Sequence, residues 1–221
     1  MTVVAIDGPA GAGKSTVARL LADRLGYLYL DTGAMYRALA FLALREGVAL
    51  DDGPSLAALA RTARIGFTAD GRVLARDGDV SEEIRHPSVS AAVSEVSAHG
   101  EVRELLVAEQ RRVAVGRDVV IEGRDIGTVV FPQAAVKVFL VASPRVRAER
   151  RRTELAAKGE HSTAEETLAA IEARDRFDSG RAVSPLRQAA DAVEVDTSGM
   201  GIEEVVATLE HLVRERLDGR P

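Results

Sequence analysis

The chain has 221 residues, 46% of them hydrophobic and 29% charged, with a net charge of −5. That length suits one α/β domain with insertions, and the charge balance argues against a nucleic-acid backbone as partner. The absence of Cys excludes disulfides and thiolate metal sites, no apolar run can span a bilayer, and no signal-peptide region precedes the first strand, so a cytoplasmic protein without membrane contact is expected.

Val3-Val4-Ala5-Ile6 reads as a short buried strand. Behind it, Gly8-Pro9-Ala10-Gly11-Ala12-Gly13-Lys14-Ser15-Thr16 fits the pattern G-x-x-x-x-G-K-[ST] without a mismatch. Val17, Ala18, Leu20, Leu21 and Leu25 then recur at helical spacing. A loop between a strand and a helix start turns successive backbone N–H groups, and the positive end of the helix dipole, into one concavity. The pattern predicts a phosphate cradle, with Lys14 on the β/γ-phosphates of ATP and the Ser15 hydroxyl on Mg²⁺.

Residues 27–30 read as a second strand ending at Asp31-Thr32-Gly33, followed by an Ala/Leu-rich helix to about Glu46. Asp51-Asp52-Gly53-Pro54 reads as a turn, with Ser55 the expected N-cap of a short helix through Ala63. Residues 65–80 interrupt the β-α alternation with a small hairpin, its type I′ signal at Asp70-Gly71, so an inserted subdomain is expected. Helices follow over about 88–98 and 101–115. Residues 118–123 form a third strand ending beside Glu122, residues 124–128 a loop, and residues 136–141 a fourth strand. Ser143-Pro144 opens a basic helix. A polar hinge at Lys158-Gly159-Glu160, a helix over about 164–176, a strand at 192–195 and an amphipathic helix over 202–217 complete the chain.

Strands alternating with helices predict a mostly parallel five-stranded sheet flanked by helices. Ligands in such sheets sit beyond the carboxyl ends of the strands, where Asp31, Glu122 and Arg124 are expected to converge. Glu122 and Asp31 compete as the carboxylate for Mg²⁺ or its waters. A GTPase needs an Asn/Lys-x-Asp guanine reader, which a chain without Asn does not supply in its usual form. A small-molecule kinase remains. Phosphoryl transfer between two anions needs arginines on several elements to neutralise charge and shut out water. Arg37, Arg103, Arg124, the arginines between 145 and 152, Arg174 and Arg181 are the candidates, and Arg37 and Arg124 stand out because they follow strand ends.

With these pieces the chain resembles bacterial cytidylate (CMP/dCMP) kinases over nearly its whole length. The specific segments are residues 6–16, Asp31-Thr32-Gly33-Ala34-Met35-Tyr36-Arg37, Glu122-Gly123-Arg124-Asp125-Ile126-Gly127-Thr128-Val129-Val130-Phe131-Pro132, and Arg181-Ala182-Val183-Ser184-Pro185-Leu186. The resemblance implies a single P-loop kinase domain. Its core would be residues 1–33, 117–149 and 185–221, with a nucleotide-monophosphate region at about 34–116, an α+β insertion at 60–100 and a lid at about 150–163. It implies ATP-dependent, Mg²⁺-assisted phosphorylation of CMP and dCMP by a monomer. By position, Arg37, Arg124 and Arg181 would hold the acceptor phosphate, with Thr32 near it. Arg174 and Asp178 would contact the sugar, and Ser94, Arg103 and Asp125 the cytosine. A lid arginine, Arg150 or Arg151, would act on the transferring phosphoryl group. Two departures from the family pattern stand out: Glu122 where many members carry Asp, and Phe177, Ser179 and Gly180 in a segment usually more charged. The alternatives are a UMP/CMP or shikimate-type kinase and a slow nucleotide-dependent switch.

Overall fold

In a computed structural model, β1 (Val3–Asp7) is buried at every position and leads through the glycine-rich loop into α1 (Lys14–Leu25), which Gly26 ends in the left-handed conformation. The structure describes residues 1–68, 71–76, 78–157 and 159–219. Next come β2 (Leu28–Asp31), α2 (Thr32–Glu46) and α3 (Gly53–Thr62). Short strands β3 (Gly66–Phe67), β4 (Val73–Ala75) and β5 (Gly78–Asp79) precede a 3-10 turn, Glu83–Arg85, and helices α4 (Pro87–Val96) and α5 (Gly100–Ala114). The remaining elements are β6 (Val119–Gly123), a π-helical turn at Ile126–Val130, β7 (Val136–Val141), α6 (Pro144–Ala157), α7 (Ala164–Gly180), β8 (Val193–Asp196) and α8 (Ile202–Asp218).

Two compact units result: Met1–Tyr29 with Arg117–Pro221, and Leu30–Gly116. The first is built on the sheet β2-β6-β1-β7-β8, in which β1 pairs in parallel with β6 and β7, and β7 with β8. Val4, Ile6, Val120, Val138 and Leu140 share one core with Val17 and Leu21 of α1 and Val206 and Leu209 of α8. Because β1 is central, the loop after it opens at the point where the strand order reverses, the position such sheets reserve for ligands. The second unit has its own core, in which Leu39 and Leu42 of α2 join Leu56, Ile84, Val93 and Val96. No helix among the described residues is long and apolar enough to cross a membrane.

The expected parallel sheet with flanking helices is observed, and four local details differ. Asp52, not Ser55, caps α3: its carboxylate accepts the Ser55 amide at 3.0 Å and the Ser55 hydroxyl at 2.6 Å, and a negative charge suits a helix start. The expected hairpin is part of a three-stranded antiparallel sheet, β3-β4-β5, whose outer strands are too short to show alternation. The loop after Arg124 contains the π-helical turn. Helix α7 runs past 176 to Gly180, started by a Thr163/Glu166 capping box; the Leu186 amide returns to Asp178 O at 2.8 Å. Asp70 of the expected type I′ turn and Lys158 of the expected hinge lie outside the described residues.

Candidate active site

The loop after β1 has the geometry its sequence predicts. Gly8, Gly11 and Gly13 take φ values of 149°, 76° and 89°. A Cβ on Gly8 would stand 2.1 Å from Leu140 O, so the chain can leave β1 alongside β7 only with glycine there. No side chain caps α1, which leaves its first-turn N–H groups for an anion. Lys14 is buried, and its Nζ donates to Pro9 O at 2.7 Å. Burial, then the nearby Arg124, lowers its pKa to about 7, while Glu122 and Asp7 oppose the shift. A polyphosphate bound there would supply negative charge that favours the ammonium form.

Ser15 is an exposed residue in the first turn of α1. Glu122, at the end of β6, is buried and accepts the Tyr29 hydroxyl at 2.7 Å. Hydroxyl and carboxylate oxygens are the hard donors that Mg²⁺ takes when it also binds phosphates, so both residues fit that ion. Arg124 donates through Nε to Asp178 at 2.9 Å and through a terminal nitrogen to Gly123 O at 3.3 Å. Burial acts to raise the Asp178 pKa, but Arg124, Arg174 and Arg181 outweigh it and hold the carboxyl below its usual range. The structure thereby gathers four predicted residues from the loop after β6, from α7 and from the segment after α7 into one charged cluster.

The two lid candidates have different surroundings. Arg150 donates to Thr197 Oγ1 at 3.0 Å and Thr197 O at 2.6 Å, and a Cβ on Gly13 would lie 3.8 Å from its guanidinium. Arg151 pairs with Glu154 at 2.9 Å on the helix surface. A third arginine of α6, Arg147, is buried. It donates to Ala10 O of the loop at 3.0 Å, to Ala142 O at 2.9 Å, and to both oxygens of Asp175 at 3.1 and 2.6 Å. It braces the phosphate loop against α7.

The second unit holds the other predicted residues. Asp31 caps α2 by accepting the Ala34 amide at 2.9 Å and pairs with Arg85 at 3.2 Å. Both of its oxygens therefore have protein partners. Arg37 lies over Gly33, where a Cβ would come within 3.1 Å of its guanidinium. Thr32 is buried at the start of α2. Arg103 is buried on α5, donates to Ser97 O at 3.2 Å and stacks over the Tyr36 ring at 5.3 Å. The Ser97 hydroxyl in turn donates to Ser94 O at 3.0 Å, so Ser94 and Arg103 are joined through the α4–α5 turn.

Arg147 stood among the candidate arginines of the basic helix, though not with this bracing role; sequence reasoning missed Asp7, Asp175 and Thr197. Only Asp7 left a trace, as an acid ending an otherwise apolar strand; the others come from segments distant in sequence. A family model described as Cytidylate kinase matches residues 4–215. A cytidylate kinase of Pelotomaculum thermopropionicum is 55% identical over 207 residues, 92% of each chain. One of Geobacter sp. (strain M21) is 53% identical over 218 residues, 97% of this chain and 94% of its own length. A crystal structure of an uncharacterized protein from Eubacterium ventriosum covers 100% of both chains at 11% identity with a TM-score of 0.51, a likeness of fold alone. A whole-length family match and relatives above half identity agree with the glycine cradle, its buried lysine and the arginine clusters: the chain belongs to the cytidylate kinase family.

Proposed function

We propose that this protein transfers the γ-phosphoryl group of ATP to CMP and dCMP, giving ADP and the corresponding diphosphate, as a cytoplasmic monomer of pyrimidine nucleotide metabolism. Membership of the cytidylate kinase family carries this reading, and the phosphate cradle supports it. Residues 8–16 hold the donor phosphates, with Lys14 on the β/γ-phosphates. Ser15 and Glu122 hold Mg²⁺ or its waters; Asp31 is less suited, because capping and the Arg85 pair occupy its oxygens. When bound there, Mg²⁺ would neutralise phosphate charge. Arg150 is the better placed of the two lid candidates, since Gly13 lies beside it. The segment around 150–163 is proposed as the lid.

Arg37, Arg124 and Arg181 bind the acceptor phosphate near Thr32, Arg174 and Asp178 the sugar, and Ser94, Arg103 and Asp125 the base. Cytosine presents an N4 amino donor, which the Asp125 carboxylate accepts, and an N3 acceptor, to which Arg103 donates. Uracil reverses both. Each unpaired buried group costs about 1–3 kcal/mol, so two mismatches favour CMP over UMP at least about 30-fold. No general base is needed, because positioning and electrostatics carry such reactions.

A coupled ADP-release assay with CMP, dCMP, UMP, AMP and shikimate tests the assignment. Turnover on CMP and dCMP far above the other three is expected. Equal rates on CMP and UMP refute the base-reading assignment, and ATP hydrolysis without a phosphorylated acceptor refutes the kinase.

A further inference from the structure

Asp7 is the last residue of β1, and neither phosphate binding nor base reading makes direct use of its buried carboxylate. Strand alternation directs Val4 and Ile6 to the sheet face covered by α1 and α8, and Asp7 to the other face. There its Oδ1 accepts the Ile126 amide at 2.8 Å and its Oδ2 the Gly127 amide at 2.7 Å. These are the first two N–H groups of the π-helical turn Ile126–Val130, donors that a helix start leaves without partners inside the helix. The turn begins directly after Arg124 and Asp125, and the Asp125 carbonyl accepts the amides of Val129 and Val130 at 2.8 and 3.1 Å.

The same loop is held from its far end. Lys137 is buried and donates to Pro132 O at 2.7 Å and to Asp191 at 2.9 Å. Its stem passes Gly127, where a Cβ would stand 3.1 Å from Lys137 Cδ and 3.4 Å from Asp7 Oδ2. The backbone of Asp125 is thus held between a carboxylate at the end of β1 and a lysine of β7. Isolated π-turns are uncommon and recur at functional sites. This one has a named anchor at each end.

We propose that Asp7 is a positioning residue for acceptor recognition: by holding the amides of Ile126 and Gly127 it sets the place of the Asp125 carboxylate that reads cytosine. The proposal rests on the reading of Asp125 given above. Burial lifts the Asp7 carboxyl to about 6 against the pull of its two amide bonds, with Asp125 adding to the rise and Lys14 opposing it. Above that pH both amide bonds are made to an ionised acceptor, the stronger kind. An asparagine has the same shape but offers one carbonyl; its NH₂ meets the second amide donor to donor.

The experiment compares Asp7→Asn, Asp7→Glu and Asp125→Asn with the wild-type enzyme, measuring KM for CMP, KM for ATP and the CMP-over-UMP preference. Asp7→Asn is expected to raise KM for CMP about tenfold and reduce the preference, leaving KM for ATP within about twofold. Equal increases in both KM values, or an unchanged preference, overturn the proposal, because Asp7 then acts through the phosphate loop or through general stability. If Asp125→Asn itself leaves the preference intact, the base-reading assignment fails. If Asp125→Asn abolishes it and Asp7→Asn does not alter it, only the role of Asp7 is refuted. Should Asp7→Asn not fold, Asp7→Glu keeps the charge but moves it by one methylene. A several-fold rise in KM for CMP alone then supports the proposal, and wild-type values overturn it.

Discussion

Arg150 donates twice to Thr197 beside the phosphate loop, while Arg151, one residue on, pairs with Glu154 on the helix surface. Their sequence context is the same basic run, so only the direction each takes around α6 separates them. Arg150→Ala is expected to lower kcat by about 10²–10³, the usual loss for a removed electrostatic contact to a transition state. Arg151→Ala, which removes a surface pair worth little, should stay within about twofold of wild type; steady-state kinetics at saturating ATP and CMP distinguish the two. Asp7 gives a second prediction, in stability. Burial lifts its pKa from 3.8 to about 6, so in that window the folded protein holds a proton that the unfolded chain has released. Its contribution is full below pH 3.8 and is lost as pH rises through about 6. Urea denaturation should show wild type losing stability relative to Asp7→Asn by up to about 1.4 kcal/mol per pH unit across the window.

Elements were legible where a pattern had room to repeat. The strands of the main sheet, α1 and α2 announce themselves through apolar periodicity and through Gly26 and Gly47, both in the left-handed conformation. Shorter features depended on local competition. Asp52 and Ser55 are both good caps by type, but only the Asp52 carboxylate has the Ser55 amide in front of it. Asp52→Ala should therefore lower stability and Ser55→Ala distinctly less, measured by thermal or urea unfolding. The end of α7 was hidden because Phe177 and Gly180 break the apolar pattern. The helix continues because Arg124 holds Asp178 from outside and the Leu186 amide caps the Asp178 carbonyl. The π-helical turn has no periodic signature at five residues; its anchor, Asp7, lies 119 positions away in the chain.

At the scale of the molecule, two hydrophobic cores form from one chain. The first joins β1, β6 and β7 with α1 and α8; the second joins α2 with α3, α4 and α5 around the small antiparallel sheet. The hairpin-like stretch that breaks the β-α alternation belongs to the second core. This division has a simple cause. Parallel strands need both faces covered and so require crossover helices, whereas the β3-β4-β5 sheet needs only one apolar face, supplied by residues such as Val73 and Ala75.

By itself the sequence singled out the candidate donor loop. The glycines, Lys14 and Ser15 are contiguous, and a strand, a tight loop and a helix start carry them into position by local rules alone. Through the family resemblance it also offered candidate arginines and acids for an acceptor. Tertiary structure decided how those charges are held. The Arg124–Asp178 pair, the brace of Arg147 between Ala10 and Asp175, the Arg150–Thr197 contact and the grip of Asp7 on the π-turn all join residues far apart in the chain. Local patterns cannot encode such contacts. They exist because parallel packing brings the ends of β6, β1, β7 and β8 side by side, and buried charges there must find partners or be neutralised.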